Sequence, residues 1–252
     1  KMAKEAQTHQ KWLSNNGVDQ QILNFQECVA IEPSLAHTEM TVLGGTFSPT
    51  DESGDANLFI KELVSVTKNL GVQYEFNAEI QTLNSNGAEI ASIKLQNREM
   101  AFDTYVICAG SNSQNISRNL NLKLPLYPVK GYSVSIPIEQ SNSAPLTSIT
   151  DMENHVVISR LGNVLRAAGT AEINGYNTDP NATRENMVLS SVQKLFPDAG
   201  GFDKAERWCG LRPMTVDCVP IIGPTRYHNL FLNTGHGPLG WTLCSGSAKL
   251  IT

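Results

Sequence analysis

From Tyr227 to Ala248 the chain carries no Asp, Glu, Lys or Arg. A stretch this long without charge belongs to a membrane span or to a folded interior. A span is excluded by Asn229, Asn233, His236, Pro238 and several glycines, which interrupt the apolar run. What remains is a strand over Leu230–Asn233, a tight glycine loop, and a helix that opens near Leu239. Glycines let a ligand approach the backbone closely. The N–H groups and dipole at a helix N-terminus favour negative charge. The segment therefore suits a phosphate, or a planar group that becomes anionic on reduction. A plain structural turn before a helix is the other reading, and the residues alone do not choose. His236, between two glycines, reads as pinned in the loop, with a surface histidine as the alternative.

Composition narrows the class. The 252 residues are 40% hydrophobic and 17% charged, which supports a buried core and excludes a disordered chain. Net charge is −5 and no Lys/Arg cluster stands out, so nucleic acid is not an expected partner. The five cysteines, at 28, 108, 209, 218 and 244, include no CxxC pair. That favours reduced thiols in a cytoplasm-like compartment over a disulfide framework or zinc knuckle. The histidines at 9, 37, 155, 228 and 236 show no metal spacing, and no metal site is expected. Residue 1 is Lys, and both ends read as helices in progress, which suggests a piece of a longer protein.

The periodicity predicts helices over 1–15 and Asn57–Leu70, the second with Phe59, Leu63, Val66 and Leu70 on one stripe and Gly71 at its end. A short helical piece spans Glu27–Leu35, and Met40–Phe47 is β-like. Val72, Tyr74 and Phe76 alternate as a strand, followed by a meander from Ile80 to Phe102 that turns at Asn86-Gly87. Tyr105–Ala109 is a continuous apolar run stopped by Gly110, the pattern of a parallel strand buried on both faces. Its loop would lie at the carboxyl end of a sheet, where open α/β sheets bind ligands. Tyr127–Ile138 alternates. His155–Arg160 and Asn163–Thr170 form a hairpin at Leu161-Gly162. Asp179-Pro180 starts a helix whose apolar face is Val188, Val192 and Leu195. Phe202–Leu211 and Val219–Ile222 are β-like again. The result is a mixed α/β (α+β) protein of two parts that interleave in sequence.

Arg212, at a strand end with few charges around it, has the chemistry to grip a carboxylate bidentately. On the residue alone an ordinary salt bridge is the better reading. Lys130 in Pro128-Val129-Lys130-Gly131 reads as a solvated charge. There is no GxGxxG after a strand, no Walker-type loop, no HExxH and no GxSxG. No histidine lies near Cys209 or Cys218 in sequence, so a Cys–His nucleophile has no local support.

Taken together, TYVICAGSNSQ, LPLYPVKGYSVSIPI and WCGLRPMTVDCVPIIGPTRYHNLFLNTGHGPLGWTLCSGSAKLI resemble the bacterial D-amino-acid dehydrogenase small-subunit family in order and spacing. That family is a branch of the flavin-dependent D-amino-acid oxidase, glycine oxidase and sarcosine oxidase superfamily. PTDESGDANLF and the start of the chain also fit, so the resemblance covers essentially the whole chain. It implies part of an FAD-binding Rossmann-like domain, interleaved with a substrate domain on a large mixed or antiparallel sheet with flanking helices. The implied division is substrate domain 1–50, FAD domain 51–111, substrate domain 112–215 and FAD domain 216–252. The amino-terminal GxGxxG unit of the family is missing from this sequence, so a fragment that does not hold FAD by itself is expected.

By the same resemblance, Ile80 meets the FAD adenine through its backbone. Ala109 and Gly110 form an FAD-contacting strand end. Gly235, His236, Gly237, Pro238, Leu239, Gly240, Trp241 and Thr242 hold the flavin ring. Arg212 binds the substrate carboxylate, which reverses the reading from the residue alone, and His155 lies among substrate-pocket positions. The implied reaction is oxidative deamination of a D-amino acid by hydride transfer to flavin N5, with no catalytic acid–base side chain. Electrons pass to a quinone or another acceptor, and the protein is cytoplasmic, with peripheral contact on the inner membrane left open. A non-catalytic fragment and a sister amine oxidase acting on glycine, sarcosine or proline are the competing readings. Two positions depart from the family pattern. Cys218 stands where relatives carry glycine after Asp217, and Pro238 removes one N–H from the loop.

Overall fold

A computed structural model describes residues 2–139 and 143–252 of the chain. In order, the elements are α1 (Met2–Asn15), β1 (Gln21–Asn24), α2 (Phe25–Ile31), β2 (Gly44–Phe47), α3 (Ala56–Asn69), β3 (Ile80–Ser85), β4 (Ile90–Leu95), β5 (Glu99–Met100), β6 (Tyr105–Ile107) and α4 (Ser113–Ser117). They continue with β7 (Leu126–Pro137), β8 (Ile149–Asp151), β9 (Val156–Leu161), β10 (Val164–Ile173), α5 (Ala182–Leu195), β11 (Glu206–Thr215), β12 (Ile221–Pro224), β13 (Leu230–Thr234) and α6 (Gly240–Ile251). The chain divides into two compact units. One holds Lys1–Asp55, Tyr132–Thr170 and Asp179–Cys209; the other holds Ala56–Gly131, Ala171–Thr178 and Gly210–Thr252.

The first unit holds β8, β9 and parts of β7, β10 and β11, strands of a sheet of order β11–β7–β10–β9–β8. The β9–β10 hairpin pairs Leu161 with Val164 around Gly162, which takes φ +61 in the tight turn. Alternation along the strands sends Tyr132, Val134, Ile136, Val156, Ile158 and Leu165 into one core with Val188, Val192 and Leu195 of α5. At roughly 25 cal/mol per Å² of apolar surface removed from water, each such side chain contributes about 1.5–3 kcal/mol. The carboxylate of Glu32 is buried but satisfied: it accepts from the Leu146 and Thr147 amides at 2.7 and 2.9 Å and from the Ser34 and Thr147 hydroxyls.

The second unit holds a sheet of order β12–β13–β6 and an antiparallel meander β3–β4–β5. β6 runs parallel to β13, with Tyr105 opposite Leu230 and Ile107 opposite Leu232. Asn229 ties the meander to this sheet: its side-chain amide accepts from the Ile90 N–H at 2.8 Å and donates to the Ile90 carbonyl at 2.9 Å, as a strand residue would. Leu83, Ile90, Tyr105, Ile107, Leu120, Leu124, Leu126, Tyr227, Leu230 and Leu232 form the core between them.

Several local expectations are corrected. Val72–Phe76 is not a strand. Tyr74 and Phe76 stack with centroids 5.7 Å apart, Lys68 lies over both rings, and the Tyr74 hydroxyl meets Thr67 Oγ1 at 2.6 Å. The alternating aromatics therefore fold back on the end of α3 instead of joining a ladder. Helix α5 starts after Asn181 rather than at Asp179-Pro180, because the Asn181 side chain accepts from the N–H groups of Thr183 and Arg184. β6 is buried on one face only: Tyr105 and Ile107 point inward while Val106 is exposed. The strand β1, paired antiparallel with β2, was not expected from periodicity. It stops where the Asn24–Glu27 capping box begins α2, with Asn24 and Glu27 each accepting the other's N–H.

Candidate functional site

In the second unit, β13 ends at Thr234 and the chain turns through Gly235 and Gly237 at φ +81 and +53, a region L side chains rarely enter. A β-carbon on Gly235 would lie 2.8 Å from the Thr215 methyl, and one on Gly237 would lie 2.8 Å from Met214 Sδ. These two positions thus need glycine for conformation and for packing against the end of β11. Pro238 falls in the first turn of a short 3-10 segment, Gly237–Leu239, where its missing N–H costs little. Helix α6 then begins at Gly240 without a side-chain cap, so its first N–H groups keep their capacity for an acceptor. Pro238, Leu239, Trp241 and Thr242 are exposed around this helix start, and Trp241 meets Phe59 edge-on at 5.3 Å.

Two stretches far from this loop in sequence meet it. Met214 and His236 form an antiparallel bridge, which places the end of β11, two residues beyond Arg212, against the loop backbone. Thr234 Oγ1 donates to the Gly110 carbonyl at 3.2 Å and meets Ser113 Oγ at 2.9 Å, fixing the strand end that carries Ala109 and Gly110. Ser111 Oγ reaches the Leu211 carbonyl at 3.5 Å. Arg212 is half-buried, and burial lowers its pKa from the ordinary guanidinium value. Its head group lies over Gly131 of β7, in the space a β-carbon there would fill. Burial also lowers the His236 pKa, and Nε2 sits 2.8 Å from the buried Ser247 hydroxyl.

Beside β6, Ile80, Leu83, Ile93, Tyr105, Val106, Cys108 and Ala109 are among the residues that line an apolar cavity of about 200 Å³. Ile80 and Ala109 thus share one slot, adjoining Gly110. His155 belongs to the first unit. It is exposed at φ +53 in the turn after β8, a turn held by the Asp151 carboxylate, which accepts from the Glu153 and Asn154 amides. Cys218 adopts φ +61, so the turn after Asp217 keeps the backbone a glycine would take, at the cost of a left-handed side-chain residue.

The expectation for Lys130 is overturned. It is 1% exposed, and its ammonium pairs with Glu172 at 3.2 Å. The signal was present in the sequence: Lys130 shares its alternation phase with Leu126, Pro128, Tyr132 and Val134, all of them buried. Among the described residues, no group of three or more His, Cys, Asp or Glu side chains is placed to hold a metal ion. No described helix is long and apolar enough to cross a membrane.

Comparison with known proteins agrees with this architecture. The FAD dependent oxidoreductase (DAO) family matches residues 1–252. A D-amino acid dehydrogenase of Paramagnetospirillum magneticum is 47% identical over 225 residues, covering 89% of this chain and 53% of the relative. One from Granulibacter bethesdensis is 42% identical over 239 residues, covering 95% of this chain and 57% of the relative. The chain thus spans little more than half the length of these relatives. Among solved structures, glycine oxidase from Geobacillus kaustophilus superposes with a TM-score of 0.86 at 23% identity, over 99% of this chain and 66% of that one. L-proline dehydrogenase from P. horikoshii gives 0.84 at 16% identity, over 98% of this chain and 68% of that one. The fold is that of these flavoenzymes, and the chain belongs to the DAO family of FAD-dependent oxidoreductases.

Proposed function

We propose that this chain supplies the substrate-binding arginine and part of the flavin seat of an enzyme that oxidises D-amino acids to 2-oxo acids and ammonia. The observation that carries the reading is the Met214–His236 bridge, which joins the strand end bearing Arg212 to the glycine loop before α6. Relatives at 41–47% identity, named D-amino acid dehydrogenase, favour this chemistry over that of the glycine oxidase neighbour at 23%.

The residues present suit FAD. The uncapped, exposed start of α6 offers N–H groups to an anionic edge, and the slot lined by Ile80, Val106 and Ala109 suits a flat aromatic ring. When bound, FAD supplies the hydride acceptor, which no side chain here can provide. Arg212 holds the substrate carboxylate through paired N–H···O bonds and so fixes where the α-carbon stands. The loop from Gly235 to Thr242 aims amide dipoles at charge that grows during reduction, the kind of preorganised stabilisation that costs no reorganisation. His236, tied to Ser247 Oγ at 2.8 Å, holds the loop. With a neutral substrate amine, no acid–base side chain is required. His155 is assigned a pocket position by resemblance. Electrons then leave to a quinone or another acceptor, consistent with a cytoplasmic enzyme that touches the inner membrane peripherally.

Arg212→Ala in the flavin-loaded enzyme is expected to raise KM for D-alanine by about 10²-fold or more, the loss of a bidentate charged contact. An unchanged KM overturns the role. Turnover of sarcosine in preference to D-alanine would move the enzyme to the sister amine oxidases. A second reading, that this chain does not retain FAD unaided, is favoured by its span of 53–58% of the relatives' length. It predicts a preparation without visible flavin absorption.

A further inference from the structure

Burying an ammonium group is costly unless a carboxylate meets it and its donors are satisfied. Residues 171–178 supply Lys130 with both a carboxylate and an acceptor. Glu172 pairs with Nζ at 3.2 Å, and Asn177 Oδ1 accepts from it at 3.5 Å. The same segment grips β7 a second time, where the Gly175 N–H donates to the Tyr127 hydroxyl at 3.1 Å. It also reaches the strand-end loop, where the Tyr176 hydroxyl donates to the Ser111 carbonyl at 3.0 Å. The residue after Lys130 is Gly131, and a β-carbon there would overlap the Arg212 guanidinium. Successive strand residues point to opposite faces. One face of this backbone therefore carries the buried ion pair, and the other carries the seat of the guanidinium.

We propose that Gly131, Lys130 and Glu172 are positioning residues for Arg212. Gly131 leaves the space in which the guanidinium lies, and the Lys130–Glu172 pair holds that stretch of β7 against residues 171–178. The functional meaning rests on the reading of Arg212 as the carboxylate-binding group; the geometry of the seat does not. An alanine at 131 meets the mobile end of Arg212 rather than backbone, so the chain is expected to fold while the guanidinium moves aside.

The test uses the Arg212 Nε–Hε NMR resonance, assigned by its loss in Arg212→Lys, together with calorimetric titration of benzoate as a carboxylate probe. Gly131→Ala and Glu172→Gln are each expected to shift the resonance and to weaken benzoate by roughly tenfold. Lys130→Met should do the same and Lys130→Arg should restore most of the loss. In an Arg212→Lys background these changes should add nothing further, an outcome that a general loss of structure would not produce. A folded Gly131→Ala protein with an unshifted resonance overturns the proposal, as does an equal loss of affinity in the Arg212→Lys background. If Lys130→Met or Glu172→Gln does not fold, Gly131→Ala decides alone. Should benzoate bind Arg212→Lys as well as it binds the wild type, or not bind the wild type at all, the carboxylate role of Arg212 fails, and the resonance still decides whether the seat positions it.

Discussion

Helices α3 and α5 are each 14 residues long and each carries an apolar stripe, yet the two stripes end in opposite environments. In α5, Val188 and Val192 are fully buried against the sheet core, and Ser191 donates to the buried Asp151 carboxylate at 3.0 Å. In α3 no residue is buried: Phe59, Leu63 and Val66, and Leu70 just past its end, are each between 46 and 77% exposed. The hydroxyl of Thr67 turns to the Leu63 carbonyl of its own helix and to Tyr74 just beyond it. The more apolar helix is thus the less covered one. Periodicity specifies which face is apolar; it does not specify what lies on that face, because coverage depends on elements distant in sequence.

The difference is open to direct measurement by urea unfolding. Leu195→Ala removes a side chain from the closed core and is expected to cost about 2–5 kcal/mol, transfer and cavity terms together. A smaller effect would mean that α5 is not held as its burial indicates.

Asp151→Asn should come next, at about 1–3 kcal/mol at neutral pH, since buried donors lose a charged acceptor. Burial is the largest single influence and pushes the Asp151 pKa up. Hydrogen bonds from Asn154, Ser191 and Glu153 together outweigh it, so the folded value lies below the ordinary one. A carboxylate with a depressed folded pKa stabilises the fold above its unfolded pKa, and that contribution is lost as pH falls through the folded value. The gap between wild type and Asp151→Asn should therefore hold steady near pH 7 and shrink below about pH 4. A gap independent of pH would place the effect in packing rather than charge.

Leu63→Ala on the open stripe of α3 is expected to cost no more than about 0.5 kcal/mol. A cost approaching that of Leu195→Ala would show that α3 is covered in solution, and the contrast between the two helices would disappear.

Legibility followed the range of the interaction. The β13–loop–α6 segment was readable because an uncharged run, a glycine cluster and a helix start are all local signals. The parallel pairing of β6 with β13 was half readable: the apolar run predicted a parallel strand, but the exposure of Val106 depends on what else reaches that face. Val72–Phe76 misled because side chains two residues apart share a face whether they sit in a ladder or, as Tyr74 and Phe76 do, in a stack over Lys68. The start of α5 was misplaced by two residues, because Asn181 competes with Asp179 as cap and only geometry shows which side chain reaches the free N–H groups. Lys130 was misread because its residue type outweighed its phase in the strand.

By itself, the order of residues determined the periodic faces of the helices and strands, the glycine loop at 235–237, and enough motif to identify the family. Tertiary structure alone decided that Met214 meets His236, that Thr234 holds the Gly110 carbonyl, and that the Arg212 guanidinium rests on Gly131 above a buried lysine. The first set rests on turns, caps and alternation, which act over a few residues. The second rests on contacts between segments up to 124 residues apart. Those form only when strands distant in sequence have closed around the core of their own unit.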